Sequence, residues 1–587
     1  SIAMKVWLLP ILAAFHVAAV ERWSVFEVNL IGPSTGNPFT DVKLSAEFEL
    51  TNAYPNPPTR VTVDGFYDGE SAEGGIYKIR FAPPDEGEWY YGIQSNVFSL
   101  LNCLTCNIDA GRGSGKMFAS GHSGSNHGPV ISKGFKLEYA DGTPYFSVGS
   151  TSYQWSSMPL AMQAQTLQTL KNGQGDGQVF NKQRMTVFPM WYRNNRQNPP
   201  LGRTDPVEAE VGTPYEILPG SVAADYNVWN CVGEVCPSTN GSFDFTRFNV
   251  AYWRNFEHNI AEMQKMGVIA DIIAFHPYDN GHWGFDCMGG HTTYNTTHDN
   301  FYLKYLAARL SSYSNVWWSM ANEWDSVQCK SFGSTVNNGP TPVWDELFGT
   351  LSAADPYGRQ MSIHNGQLLY NHSQPWITHV SLQGNIHDTP VLRAKYGKPV
   401  IWDEEGYEGN ITSSWGALSG EEMTDRFWLG ASLGVHVGHS ETILRPNIDD
   451  DNQPLWWSKG GELVGTSPAR IKWFRQLWEG TTTRPSFGDL VPTQSYFDDA
   501  NDGPFVANLL SAEDGSFISL HFLRAGRWTV PLNYTGVGGT AKWEVRYLDY
   551  YGMKVTVIDT LSSRASRVIL NVTLPGGNYE IACSSCH

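Results

Sequence analysis

Between residues 132 and 480 the chain returns repeatedly to short, continuously apolar runs, with helical periodicity between several of them. The runs fall at 144–149, 184–189, 268–275, 316–321, 360–363, 377–382, 399–402 and 434–437. A strand that is apolar on both faces has to be covered on both, which a parallel sheet flanked by helices achieves. Helical spacing is clearest at Phe256, Ile260, Met263 and Met266, three and four residues apart. Eight such units in about 350 residues predict a parallel (β/α)8 barrel with insertions. The competing arrangement is a doubly wound sheet. No Gly-x-Gly-x-x-Gly turn follows the first run, so it ranks second.

The texture differs on either side of this region. Val42, Leu44, Ala46, Phe48 and Leu50 alternate with Lys43, Ser45, Glu47 and Glu49, a period of two that belongs to a half-buried strand. Further runs at 60–66, 77–81 and 88–93 are separated by turn clusters such as Pro83-Pro-Asp-Glu-Gly87. Period two returns near the C-terminus, with Trp543, Val545 and Tyr547 on one face and Val568, Leu570, Val572 and Leu574 repeating the scheme. The expected fold is multidomain, α/β plus all-β. A β-sandwich (21–110), a Gly/Ser-rich linker (111–131), a (β/α)8 barrel (132–483) and a second β-sandwich (484–587) follow one another.

The N-terminus reads as a leader, residues 1–19. Lys5 precedes an apolar stretch from Val6 to Val20, and Val17-Ala18-Ala19 suits cleavage after Ala19; Met4 is read as the native start. No other run approaches the ~20 apolar residues of a membrane span, so a secreted protein with no membrane partner is expected. The eight cysteines fit an exported chain. Cys103 with Cys106, Cys231 with Cys236, and Cys583 with Cys586 are close in sequence, leaving Cys287 with Cys329; disulfides are favoured over zinc. Asn-x-Ser/Thr sites at Asn240, Asn295, Asn371, Asn410, Asn533 and Asn571 suit a glycoprotein. A net charge of -18 argues against nucleic acid as the partner. Aromatic residues make up 13% of the chain, including 22 Trp, which suits either a dense core or surfaces that stack on sugar rings.

Barrel enzymes place their working residues where the strands end at the C-terminal face. The fourth run, Asn315-Val-Trp-Trp-Ser-Met-Ala-Asn-Glu-Trp-Asp325, passes from apolar to Asn322-Glu323. The seventh, Lys398-Pro-Val-Ile-Trp-Asp-Glu-Glu-Gly406, ends in three acids. Carboxylates on strands four and seven face each other across the barrel axis. Such a pair can flank a glycosidic bond as acid/base and nucleophile.

These endings resemble those of clan A retaining glycoside hydrolases. More closely, the chain resembles the apiosidase-like secreted glycosidases that carry an N-terminal β-sandwich. The resemblance spans roughly Arg22 to Glu479. It rests on Pro144-Tyr-Phe-Ser-Val-Gly149, Phe275-His-Pro-Tyr-Asp279 with Trp283-Gly-Phe285, Asn315 to Asp325, Ser362-Ile-His-Asn365, Asp403-Glu404 with Tyr407-Glu-Gly-Asn410, and Trp456-Trp-Ser-Lys-Gly-Gly461. It implies Glu323 as acid/base, with Asn322 bonding the hydroxyl beside the reacting carbon, and a nucleophile six positions after Lys398, Glu404. In a regular strand Glu404 points away from both neighbours, so Asp403 and Glu405 stand or fall together. The mechanism implied is double displacement with retention, needing carboxyl groups ~5–5.5 Å apart. Glu323 then needs a raised pKa, which the Glu404 charge would help supply.

His276 and His364 are expected to contact the sugar. Tyr278, Trp283, Tyr407 and Trp456 belong to an aromatic ring at the mouth, with Tyr153, Trp155, Trp191, Trp324 and Trp457 as further members. Glu408 and Glu441 are acids that either orient a catalytic partner or bind a hydroxyl. His276, His282, His364, His379, His436 and His439 invite a metal reading, but the first strand leads into Gly149-Ser-Thr-Ser-Tyr-Gln154 without a His-x-His ending. No metal or other cofactor is expected. Residues 193–247 are too long for a plain connection and suggest a wall or lid over the cleft. The expected partner is a neutral or weakly charged glycan, its sugar and linkage open, as is the oligomeric state. A non-catalytic carbohydrate-binding protein on a barrel scaffold is the alternative, which the intact carboxylate pair disfavours; a metal-dependent barrel hydrolase comes behind both.

Overall fold

The structure is a computed structural model. It describes residues 18–50, 57–101, 113–158, 160–188, 228–231, 243–276, 297–326, 341–384, 386–410, 414–440, 442–443, 460–479, 484–499, 503–513, 516–522, 526–533, 541–563, 567–574 and 577–584. The chain divides into two compact units, Ser1–Asn126 and His127–His587.

In the first unit β1 (Ala18–Glu21), β2 (Phe26–Gly32), β3 (Leu44–Leu50), β4 (Thr59–Ser71), β5 (Gly74–Phe81), β6 (Gly87–Ser95) and β7 (Ser114–Ser120) pair in the order β1-β7-β6-β3-β4-β5-β2. The alternation read from the sequence is the alternation of burial in β3, where Leu44, Ala46, Phe48 and Leu50 face inward. β4 pairs with β3 as far as Asp64 and with β5 from Gly65 onward, so one long strand serves both layers. The end of the expected leader is placed on a strand, and one stretch differs from the sequence reading. Ala18 and Ala19, given to the leader, lie in β1 beside Met117 and Phe118. Residues 114–120, given to the linker, form β7, because Met117 and Ala119 alternate inward within a run that reads as small and polar.

The second unit starts with a hairpin, β8 (Val130–Lys133) and β9 (Lys136–Tyr139). The barrel strands are β10 (Val148–Thr151), β11 (Lys182–Thr186), then, after a small hairpin of β12 (Trp229–Cys231) and β13 (Phe243–Phe248), β14 (Ile269–Phe275), β15 (Val316–Ala321), β16 (Met361–Ser362), β17 (Val380–Gln383), β18 (Val400–Glu404) and, beyond the short β19 (Glu408–Gly409), β20 (His436–His439). A short β21 (Thr442–Ile443) pairs with β19. All eight expected runs are strands, and they pair in parallel in the order β16-β15-β14-β11-β10-β20-β18-β17. β16 and β17 have no ladder between them. Thr378 bridges the two, donating its N–H to the Met361 carbonyl at 2.9 Å and accepting the Met361 N–H on Oγ1 at 2.8 Å.

β14 and β15 are buried along their whole length, as strands covered on both faces must be. The first and eighth strands begin two to four residues later than their apolar runs suggest, because buried Ser150, Thr151 and His439 extend them toward the mouth. Under the barrel, Val130, Leu137 and Tyr145 pack on Ile269, Trp317 and Ile401, so the β8–β9 hairpin closes the N-terminal end. That end is a plug.

The chain continues through the helix Ser467–Glu479 into β22 (Val491–Asp499), β23 (Gly503–Ser511), β24 (Phe517–Phe522), β25 (Gly526–Asn533), β26 (Ala541–Asp549), β27 (Lys554–Ser563), β28 (Arg567–Leu574) and β29 (Gly577–Cys583). Six form an antiparallel sheet, β22-β23-β24-β29-β26-β27, while β25 pairs with β28. Trp543 and Val545 face inward as expected. Beyond them the register shifts between Val545 and Arg546, and the next buried residue is Leu548 rather than Tyr547. Each expected cysteine pair includes a residue outside the described set, as do most of the 193–247 segment and the sequons at Asn240 and Asn295. Among the described residues no helix is long and apolar enough to cross a membrane.

Candidate active site

The fourth strand, β15, delivers Asn322 and Glu323 to the mouth. Backbone bonds pin the chain on both sides: Asn322 N–H donates to the Phe275 carbonyl and Trp324 N–H to the His364 carbonyl, each at 3.0 Å. Between these anchors Glu323 takes a left-handed backbone, φ 44°, which is costly for a residue with a side chain. The strain turns the strand end so that Glu323 leaves the ladder. Two residues on, the Asp325 carboxylate accepts the N–H groups of Gly366, Gln367 and Leu368 at 2.5, 2.6 and 2.7 Å, fastening the loop after β16 to this same end. From β17, Gln383 Nε2 donates to Glu323 Oε1 at 2.8 Å.

The seventh strand, β18, ends less regularly. The register between β17 and β18 shifts at Leu382/Gln383, so Leu382 lies opposite Trp402 but Gln383 opposite Glu404. This irregularity breaks the alternation on which the sequence reading relied, and Asp403 and Glu405 do not stand or fall together. Asp403 points into the barrel, where Lys182 Nζ meets Oδ1 at 2.5 Å and Ser381 donates to Oδ2 at 2.5 Å. Glu405 is buried against the Arg426 side, and among the described residues neither of its carboxyl oxygens has a hydrogen-bond partner. Burial pushes its pKa well above the ordinary carboxylate range, against the pull of the Arg426 charge.

Glu404 is held at the mouth. Tyr407 O–H donates to its Oε1 and Tyr153 O–H to Oε2 at 3.2 Å, and His364 Nε2 stands 3.8 Å from Oε2. Burial first, then the negative charge of Glu323, push the Glu404 pKa up to about 7, against the opposing pull of Arg184 and the two tyrosines. Burial, with the nearby Arg184, holds His364 well below its ordinary value and hence neutral.

Beneath the pair lies a charged layer invisible to a search for apolar strands. Lys182 bridges Asp403 and Asp271, at 2.5 and 2.8 Å. Arg184 Nη2 donates to Asn322 Oδ1 at 2.8 Å, which fixes the Asn322 amide with its oxygen turned to the cation. These side chains are essentially fully buried. Two cations and two aspartates balance, which is the condition for burying charge at all.

Glu323, Glu404, Asn322, His364 and Tyr407 are therefore brought to one end of the barrel. His276 is buried at the end of β14 with Nε2 3.3 Å from the Phe188 carbonyl. Tyr278, Trp283, Glu441 and Trp456 lie outside the described residues. Tyr153, Trp155, Trp324 and Tyr407 are buried rather than ringed around the opening, and Tyr153 and Tyr407 direct their hydroxyls to Glu404. Glu408 serves the architecture instead. Its carboxylate accepts the N–H groups of Thr466 and Ser467 at 2.6 and 3.1 Å, at the start of the helix Ser467–Glu479. Sequence reasoning missed Lys182, Arg184, Asp271 and Gln383. Among the described residues no three His, Cys, Asp or Glu side chains are grouped to hold a metal ion.

Comparison with known proteins agrees with this architecture. Residues 132–440 match the apiosidase-like catalytic domain, and residues 19–96 match DUF5060, a domain of unknown function. A solved structure of a candidate glycoside hydrolase from Bacteroides vulgatus ATCC 8482 is 30% identical, covers 96% of this chain and 100% of its own, and superposes with a TM-score of 0.74. A second, described only as a glycoside hydrolase, is 14% identical with a TM-score of 0.51, over 79% of this chain and 99% of its own, and shares the fold. No curated protein matches. With a carboxyl pair at the ends of strands four and seven and a family match over more than half its length, the chain belongs to the apiosidase-like family of (β/α)8 glycoside hydrolases.

Proposed function

We propose that the chain is an exported, retaining glycosidase in which Glu323 is the acid/base and Glu404 the nucleophile. The observation that carries this reading is the placement of the two carboxyl groups at the ends of strands four and seven, Glu404 held by two tyrosine hydroxyls and Glu323 by the Gln383 amide.

In the first step a Glu404 oxygen attacks the anomeric carbon, the bond to the leaving oxygen breaks, and the Glu323 proton moves to that oxygen. Glu323 then takes a proton from water as the water displaces Glu404, and the sugar leaves with its configuration retained. Gln383 orients Glu323 through Oε1. Arg184 turns Asn322 so that its amide N–H2 lies away from the cation, toward the side where a sugar hydroxyl would sit. The substrate is a carbohydrate.

Glu323→Ala and Glu404→Ala are each expected to lower glycan hydrolysis roughly 10²–10⁴-fold. Azide should separate the roles, yielding a glycosyl azide of inverted configuration from the nucleophile variant and of retained configuration from the acid/base variant. Unchanged hydrolysis by Glu404→Ala would refute the assignment. N-terminal sequencing of the exported protein should begin at Val20.

A further inference from the structure

On the flank of the barrel, between the helix Thr389–Tyr396 and the C-terminal sandwich, lies a cavity of about 660 Å³. Its walls include Phe135, from the turn of the β8–β9 hairpin, Pro390, Arg393 and Ala394 of the helix, and Asp489 and Glu513 of the sandwich side. Arg393 is 5% exposed. A guanidinium carries five N–H donors. One of them, on Nη2, donates to the Gly488 carbonyl at 3.2 Å, and the guanidinium lies over the Phe135 ring with its centre 4.2 Å away. Among the described residues no carboxylate is within ion-pair distance of it. Burial alone pulls its pKa down to about 10, as expected of a cation taken from water without a counter-charge.

The two acids of the wall do not supply that charge. Asp489 is exposed and paired with Lys136 at 2.6 Å. Glu513 is also exposed, so its field is screened by solvent. The charge at the inner end of the cavity is thus positive. Proline and phenylalanine rings supply much of the remaining wall, which suits the body of an organic molecule. The volume is that of a small organic ligand, far above the space a bare inorganic anion fills.

We propose that this cavity is a second ligand site, separate from the carboxyl pair, which takes an organic carboxylate with a ring-sized body, its carboxylate on Arg393. A planar guanidinium with unused donors binds a carboxylate in two-point geometry, and burial strengthens the bond. The ligand carboxylate is either the uronic end of a glycan or a free organic acid; the chemistry at Arg393 is the same.

The test is calorimetric titration of the full chain with D-glucuronate, benzoate, methyl β-D-glucoside, acetate and inorganic phosphate. D-glucuronate, benzoate or both should bind saturably at one site; glucuronate alone points to a uronic sugar, benzoate alone to a free organic acid. The glucoside, acetate and phosphate should bind at least about tenfold more weakly, as loss of a charge-assisted contact or of the ring requires. Arg393→Lys should weaken the bound ring carboxylate roughly tenfold. Ala394→Trp, at an exposed position on the rim, should block the site without lowering the melting temperature. Glu404→Gln should leave it intact, which separates this site from the barrel mouth. Absence of saturable binding by both ring carboxylates, equal binding of the glucoside, acetate or phosphate, or loss of binding in Glu404→Gln with retention in Arg393→Lys would each overturn the proposal.

Discussion

Glu404 and Glu405 are adjacent, one partly exposed at the mouth and the other buried, and both carboxyls are pushed upward. For Glu404 the native pKa of about 7 lies above an unfolded value near 4.5, so the folded state holds the proton more tightly. Its contribution to stability is therefore full below pH 4.5 and is lost as pH rises to 7. The loss is about 3 kcal/mol for a shift of this size. Glu404→Gln should abolish hydrolysis while raising the melting temperature at pH 8 relative to wild type, with little difference at pH 4. Glu405→Gln should shift the melting temperature in the same direction as pH rises but keep activity within about twofold, because among the described residues its oxygens accept no hydrogen bond from a site group. Activity and melting curves of both variants at the two pH values check this. Both positions stand out in the sequence because acids follow an apolar run. Lys182 and Arg184 do not, since a Lys-Gln-Arg-Met-Thr strand reads as a solvated surface until its aspartate partners arrive from β14 and β18.

The strand ends determine where the carboxylates point. Continuous apolar runs marked every barrel strand, but neither they nor strict alternation could find the register shift opposite Gln383, because a bulge adds no distinctive residue type. The same blindness hid the shift at Val545/Arg546 in β26. The choice of Glu404 rested on counting from Lys398, while the parity argument beside it assumed a regular strand. The irregular end of β18 depends on a close neighbour: a Cβ at Gly438 of β20 would sit 3.2 Å from the Asp403 carbonyl oxygen and 3.4 Å from its Cα. Gly438→Ala should push the end of β18 and carry Glu404 with it, lowering kcat by about tenfold or more with a smaller change in KM. Steady-state kinetics with a thermal melt distinguishes this displacement from global unfolding.

At the scale of the whole second unit, Arg484, just beyond the helix Ser467–Glu479, ties that helix to β29 of the C-terminal sandwich: it donates to the Leu477 carbonyl and forms a buried ion pair with Glu580. Arg484 Nε and Nη2 donate to the two Glu580 oxygens at 2.8 and 2.7 Å, the side chains being 3% and 1% exposed, and the guanidinium stacks over Trp478. Removing one partner strands the other charge, at a cost of roughly 3–5 kcal/mol. Arg484→Met should split one calorimetric transition of barrel and sandwich into two, and added salt should leave wild type unchanged because the pair is shielded from solvent. Nothing in the sequence pointed to this pairing, since 96 residues separate its members. The junction of β16 and β17 has a consequence of another kind. A closed ladder exchanges its amides only when it opens as a whole; this ring is fastened at one seam by the backbone and hydroxyl of Thr378. Deuterium should therefore enter β16 and β17 before β14 and β15, and faster still in Thr378→Val. Gln383 at the top of β17 holds Glu323, so the barrel breathes where its proposed proton donor is held.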